Sequence, residues 1–100
     1  MKINKKTEGT SLLIALEGRL DTSTAPELEK EIRASINGIT ELCFDFAKLD
    51  YVSSAGLRVL LSAQKIMNKQ GSMKLKNVSE PIMEIFDVTG FTDILTIEQN

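Results

Sequence analysis

The stretch YVSSAGLRVLL, residues 51–61, sets two serines and a glycine where an apolar run passes into a helical pattern. A serine hydroxyl can act there as a nucleophile, as a phosphate acceptor or as the cap that starts the helix. Nucleophilic use needs a base to take the hydroxyl proton. The chain has no histidine, so a serine–histidine–acid triad cannot be built at Ser53, Ser54 or any other serine. Lys48 and Lys65 are conceivable lysine bases, and spacing selects neither. Asp21, Asp45 and Asp50 are scattered near strand ends, where acids commonly cap helices or face water. With no histidine and one cysteine, Cys43, the usual histidine and multi-thiolate metal sites are missing. Gly56 stands alone, without the lysine of a phosphate-binding loop. An autonomous enzyme is not expected, and neither is a metal centre.

Capping accounts for the serines at the least cost in assumptions. A serine N-cap accepts a hydrogen bond from a free backbone N–H, worth typically about 1 kcal/mol. Ala55 and Gly56 are then small residues that let the helix begin close to the sheet. Yet glycine costs roughly 0.8–1.0 kcal/mol against alanine in a helix, which suits a place where another molecule approaches the backbone. Helix starts also favour anionic groups, through the dipole and the unpaired N–H groups. Ser54 can therefore be a cap, a phosphate acceptor or both.

The elements that must position these residues follow from periodicity. In TSLLIALEG, Leu12, Ile14 and Leu16 share one face, and Gly18 is expected to stop the strand. ELCFDF places Leu42, Phe44 and Phe46 on one face with Cys43 and Asp45 on the other. SMKLKN turns Met73 and Leu75 inward and Lys74 and Lys76 outward. ILTIE is the expected last strand, and residues 2–7 add an edge strand. The first helix carries start signals at Thr24 and Glu27, at capping-box spacing, with Leu28, Ile32 and Ile36 buried and Gly38 at its end. Glu29 and Arg33 can pair on its exposed side, worth about 0.2–0.5 kcal/mol. Residues 55–69 bury Val59, Leu60, Ala63, Ile66 and Met67, opposite Arg58, Ser62, Lys65 and Lys69. A third helix starts at Ser79, buries Ile82, Ile85 and Phe86, and stops at Gly90. Alternating strands and helices imply crossovers and a largely parallel sheet. Strands covered on both faces read as continuous apolar runs; these alternate, so the helices are expected mainly on one face. The expected fold is α/β, one domain over residues 1–100.

Bulk properties agree. The chain has 100 residues, 42% of them hydrophobic and 26% charged, with a formal net charge of -2. It carries no basic run for a nucleic-acid backbone, Lys5 and Lys6 being the densest pair. Cys43 reads as a small buried hydrophobe, and Met67 and Met73 as core filler. The basic start before SLLIAL imitates an export signal, but Glu8, Gly9, Glu17 and Arg19 interrupt it. No stretch is long enough to span a membrane. A cytoplasmic protein without membrane insertion is expected.

Three segments, LEGRLDTSTAPEL, LDYVSSAGLRVLL and FDVTGFTDIL, occur in the order and spacing of the STAS-domain anti-sigma factor antagonists, and the chain resembles that family over nearly its whole length. The resemblance implies a phosphorylation switch. The dephosphorylated antagonist binds an anti-sigma factor and frees the sigma factor. The anti-sigma factor doubles as a serine kinase, so ATP and magnesium belong to the partner and no cofactor to this chain. A serine phosphatase reverses the modification. Alignment on Gly56 makes Ser54 the acceptor; Ser53 replaces the aspartate common in the motif and is the secondary candidate. Asp21 matches an acidic position near the partner surface, and capping of the first helix accounts for it equally well. Ser53, Ser54, Gly56, Arg58 and Ser62 complete the expected partner-binding set. Lys65 and Lys69 could extend it, although a solvated helix side explains these two lysines better than it explains Arg58. The resemblance also admits a STAS subunit of a membrane transport system, bound constitutively to an ATPase or transporter.

Overall fold

A computed structural model describes residues 1–98. The elements are β1 (Lys2–Glu8), β2 (Ser11–Leu20), α1 (Ala25–Ser35), β3 (Glu41–Val52), α2 (Ser54–Gln70), β4 (Ser72–Lys76) and α3 (Glu80–Thr89), followed by a 3-10 turn at Phe91–Asp93. The sheet order is β1-β2-β3-β4. β1 and β2 form an antiparallel hairpin, while β2–β3 and β3–β4 are parallel. Gly9, at φ 59°, takes the first position of the two-residue hairpin loop. The sheet is thus largely parallel with one antiparallel edge, as the alternation of elements implies.

Alternation also decides which face is covered. Leu12, Ile14, Leu16, Leu42, Phe44, Phe46, Met73 and Leu75 are all buried, and register places them on one face. Leu28 and Ile32 of α1, Leu60, Ala63 and Met67 of α2, and Ile82 and Phe86 of α3 close over that face as one core. On the other face, Leu13, Ala15, Cys43 and Asp45 are only half-buried. Cys43 is therefore a partly exposed thiol on the open face, not a core residue; desolvation nevertheless pushes its pKa up, although Lys76 and Lys74 pull the other way. Lys74 faces water there and pairs with Glu98 at 3.1 Å. On the helix side of β1, Lys5 binds Glu31 at 2.6 Å and Ser35 at 2.9 Å, which ties the edge strand to α1.

Four expectations are revised. β2 does not stop at Gly18: the chain passes through Gly18 at φ 102° with register irregularities and continues to Leu20. β3 likewise extends beyond Phe46 to Val52. The Thr24–Glu27 capping box is absent, because the Thr24 side chain makes no cap bond to α1. ILTIE is reduced to a single parallel bridge between Leu75 and Ile97, since the turn that opens at Phe91–Asp93 runs on into Ile94 and Leu95, whose N–H groups both donate to Phe91 O. Smaller shifts are that α1 ends at Ser35, before Gly38, and that Ile66 and Ile85 are partly buried.

The ends of the strands opposite the two serines are held by polar backbone contacts. Gln70 donates to the carbonyls of Ile36 and Ile39 at 2.8 and 2.7 Å, and Ser72 N–H donates to Thr40 O at 2.9 Å. A Cβ on Gly71 would overlap the Thr40 backbone. Gly71→Ala is therefore expected to destabilise the fold by about 1–3 kcal/mol, read as a lower urea midpoint with an unchanged denaturant slope.

Candidate functional site

The parallel ladder of β2 and β3 runs out at Leu20 and Val52, which are paired. Beyond them the chain leads into the starts of α1 and α2. The Ser53 N–H donates to Leu20 O at 2.8 Å, so α2 begins directly against the end of β2. Gly56 makes this approach possible. A Cβ there would lie 2.7 Å from Leu20 Cγ and 3.0 Å from Leu20 O. Gly56, expected on the docking surface, is instead buried, and its small size serves packing against Leu20 within the chain.

The two serines have separate roles. Ser53 is the N-cap, extended at φ -90° and ψ 175°, and its Oγ accepts from the Gly56 N–H at 3.3 Å. Its carbonyl accepts from Leu57 N–H at 2.9 Å, the first turn of α2. Ser54 is the first helical residue and is exposed. Its hydroxyl has no hydrogen-bond partner among the described residues. The cap is thus Ser53, and Ser54 is free of that duty. No acidic residue occupies the first turn of α2.

Asp21 sits immediately after Leu20 and opens the turn that leads into α1. Its Oδ1 accepts from the Ser23 hydroxyl at 2.7 Å, the Ser23 N–H at 3.0 Å and the Thr24 N–H at 3.2 Å. Its carbonyl accepts from Ala25 N–H at 2.8 Å. Thr24 Oγ1 meanwhile accepts from Asp21 N–H and donates to Arg19 O, both at 2.8 Å, which explains why it does not cap. The Ser23 hydroxyl is the main reason that the Asp21 carboxyl titrates below its ordinary range; partial burial opposes it, and the Thr24 and Ser23 amides reinforce it.

Sequence reasoning missed Arg19 and Tyr51. Arg19 lies 4.4 Å above the Tyr51 ring, with its Nε 3.8 Å from Asp21 Oδ2. Tyr51 keeps 36% of its surface exposed, one of few large apolar side chains to do so. Both residues stand in the quoted segments, but their pairing depends on the register shift between Gly18 and Arg19, which no local pattern announces.

Arg58 and Ser62 follow Ser54 along the exposed side of α2. Arg58, Ser62 and Ala55 face Ala25, Pro26 and Glu29 of α1 across a shallow groove of about 350 Å³. Lys65 and Lys69 are also exposed on α2, but neither lines this groove. Lys65 is eleven residues from Ser54, about 16 Å at 1.5 Å per residue, so it cannot serve as its base. Lys48 lies on the open face beside Asn4 and Glu17, at the border of another pocket, and six residues before Ser54. The site presents a hydroxyl and does not activate it. Among the described residues no acidic and cysteine side chains converge as a metal-binding group, and no helix is long and apolar enough to cross a membrane.

A four-stranded mixed sheet covered on one face by three helices defines an α/β domain with a single helical layer. The chain belongs to the STAS domain family, whose profile matches residues 2–100. It is 33% identical over 97% of its length to a putative anti-sigma factor antagonist, BtrV, of Bordetella bronchiseptica, covering 85% of that protein. It is 30% identical over 97% of its length to the anti-sigma-B factor antagonist of Bacillus subtilis, covering 90% of it. Its fold superposes on the Bacillus anti-sigma factor antagonist SpoIIAA with TM-scores of 0.78 for the unphosphorylated form and 0.76 for the phosphorylated form. Sequence identity is 18% in both; 99% of this chain is covered in each case, against 89% and 93% of the SpoIIAA chains.

Two measurements separate these roles. Ser53→Ala is expected to lose about 1 kcal/mol of stability, while Ser54→Ala stays within about 0.5 kcal/mol of the parent; urea unfolding compares them directly. A carboxyl held below its unfolded value, near 3.8 for Asp21, adds stability that is complete above that value and is lost as pH falls through the folded one. Asp21→Asn should therefore be less stable than the parent at neutral pH, and the gap should narrow below about pH 4 in unfolding curves.

Proposed function

We propose that this chain is an anti-sigma factor antagonist. With Ser54 unmodified it binds an anti-sigma factor and releases the sigma factor; phosphorylation of Ser54 ends that binding. The observation that carries the reading is the exposed Ser54 hydroxyl, left uncommitted at the first residue of α2 because Ser53 supplies the cap. The names of the Bordetella and Bacillus relatives support the antagonist role. In this reading the anti-sigma factor is also the serine kinase and holds the ATP and magnesium, a serine phosphatase restores the free hydroxyl, and the exchange takes place in the cytoplasm. Asp21, Ser53, Ser54, Arg58 and Ser62 contribute to the docking surface.

The mechanism is electrostatic. A phosphoserine brings about -1.5 to -2 charges and three acceptor oxygens. At the start of a helix without acidic residues in its first turn, the dipole and the free N–H groups favour that charge, so the fold is preserved. The cost falls on the complex, where a dianion must be accommodated at a surface packed for a neutral hydroxyl. A penalty of about 3 kcal/mol corresponds to a loss of more than a hundredfold in affinity.

Incubation with a kinase-type anti-sigma factor and Mg-ATP is expected to add one phosphate to the parent and to Ser53→Ala, and none to Ser54→Ala, by intact mass. Calorimetric titration should then show the phosphorylated form binding at least about a hundredfold more weakly. Equal phosphate uptake by Ser54→Ala would refute the assignment.

A further inference from the structure

Arg58 is exposed on α2 and has no ionic partner among the described residues. It stands four residues after Ser54, on the same side of the helix. Side chains at this spacing are neighbours, with Cβ atoms about 5–6 Å apart. The other charges at this end of the molecule are mostly committed. Arg19 is engaged with Asp21 and Tyr51, and Asp21 with Ser23 and Thr24. Glu29, across the groove, is held by Arg33 at 2.8 Å. Glu27 on α1 and Asp50 on β3 are exposed carboxylates, and neither lines the groove that Arg58 faces. An unpaired guanidinium therefore lies one helical turn from an unpaired hydroxyl.

We infer that Arg58 is the internal counter-ion of a phosphate on Ser54; this rests on the reading of Ser54 as the phosphate acceptor. Guanidinium and phosphate form short, charge-assisted and often bidentate hydrogen bonds. Before modification Arg58 projects into the α1–α2 groove as part of the docking surface. After modification it turns back along α2 to the phosphate. The switch then acts twice: a dianion is placed at the helix start, and a cation is withdrawn from the surface a partner would meet.

The test uses the full chain with phosphoserine encoded at position 54, so its outcome does not depend on any kinase. The second ionisation of the phosphate is followed by 31P NMR. A nearby cation favours the dianion and lowers this pKa. Arg58→Gln should therefore raise it by at least about 0.2–0.4 pH unit, the shift that corresponds to an exposed i,i+4 ion pair. Arg58→Lys should restore most of the difference, and Lys65→Gln, three turns away, should leave it unchanged. An Arg58→Gln titration that coincides with the parent overturns the inference, as does an equal shift in Lys65→Gln. Either result leaves the assignment of Ser54 standing, whereas phosphate uptake by Ser54→Ala refutes that assignment and not the ion pair.

Discussion

The close approach of α2 to the end of β2 is the constraint on which the rest of the site depends. A helix that begins one residue after a strand must turn sharply, and its first N–H groups need partners away from the ladder. Here the Ser53 N–H takes the Leu20 carbonyl at 2.8 Å, and Gly56 rests on the Leu20 side chain and carbonyl without a Cβ between them. Leu20 is fully buried, so the contact is anchored in the core. Asp21 is the next residue along the chain and opens the turn into α1. One hydrophobic contact thus fixes both helix starts relative to each other, and with them the serines, the acid and the groove between α1 and α2.

The one-sided sheet divides the molecule into a closed face and an open one. With three helices over one face, the core is closed by Leu12, Ile14, Phe44, Phe46 and their neighbours. The other face keeps a thin half-buried strip of Leu13, Ala15 and Cys43 bordered by lysines and carboxylates. Some of its charges are spent locally: Lys74 on Glu98, and Asp45 on the Ala47 amide and Asn77. At the end where β2 and β3 finish, the Ser54 hydroxyl and Arg58 have no such partners among the described residues.

The amino-acid pattern made the layers legible, because alternation in Leu12–Leu16, Leu42–Phe46 and Met73–Leu75 has one solution when one face is buried. It made Ser54 legible as a helix-start residue too. What it hid were non-local or competing effects. Thr24 holds the N-cap position of α1 without a side-chain cap bond, because its hydroxyl is taken by the Arg19 carbonyl, and the Asp21 carboxylate bonds the turn before the helix instead. Gly56 suggested an external visitor because its true neighbour, Leu20, is thirty-six positions away in sequence. The Arg19–Tyr51 stack needs the irregular register at Gly18 to bring those residues side by side. ILTIE has strand composition, yet the 3-10 turn before it leaves a single bridge. Local propensity cannot foresee such outcomes, since each depends on the partner segment.

The division of labour between Ser53 and Ser54 has a physical rationale. Were one hydroxyl both cap and phosphate acceptor, modification would remove a capping bond worth about 1 kcal/mol at the moment a large charge arrived. The helix start would then be weakest in the state that most needs it to be firm. With Ser53 bonded to the Gly56 N–H, a phosphate on Ser54 meets an intact first turn whose dipole and remaining N–H groups favour negative charge. The departure at residue 53, a serine in place of the aspartate common in the motif, fits the same logic. An aspartate cap would put a fixed negative charge one residue from the phosphate, and a like charge so close disfavours the dianion. A neutral cap keeps the bond and omits the repulsion, so a phosphate on Ser54 would face no like charge from its own cap.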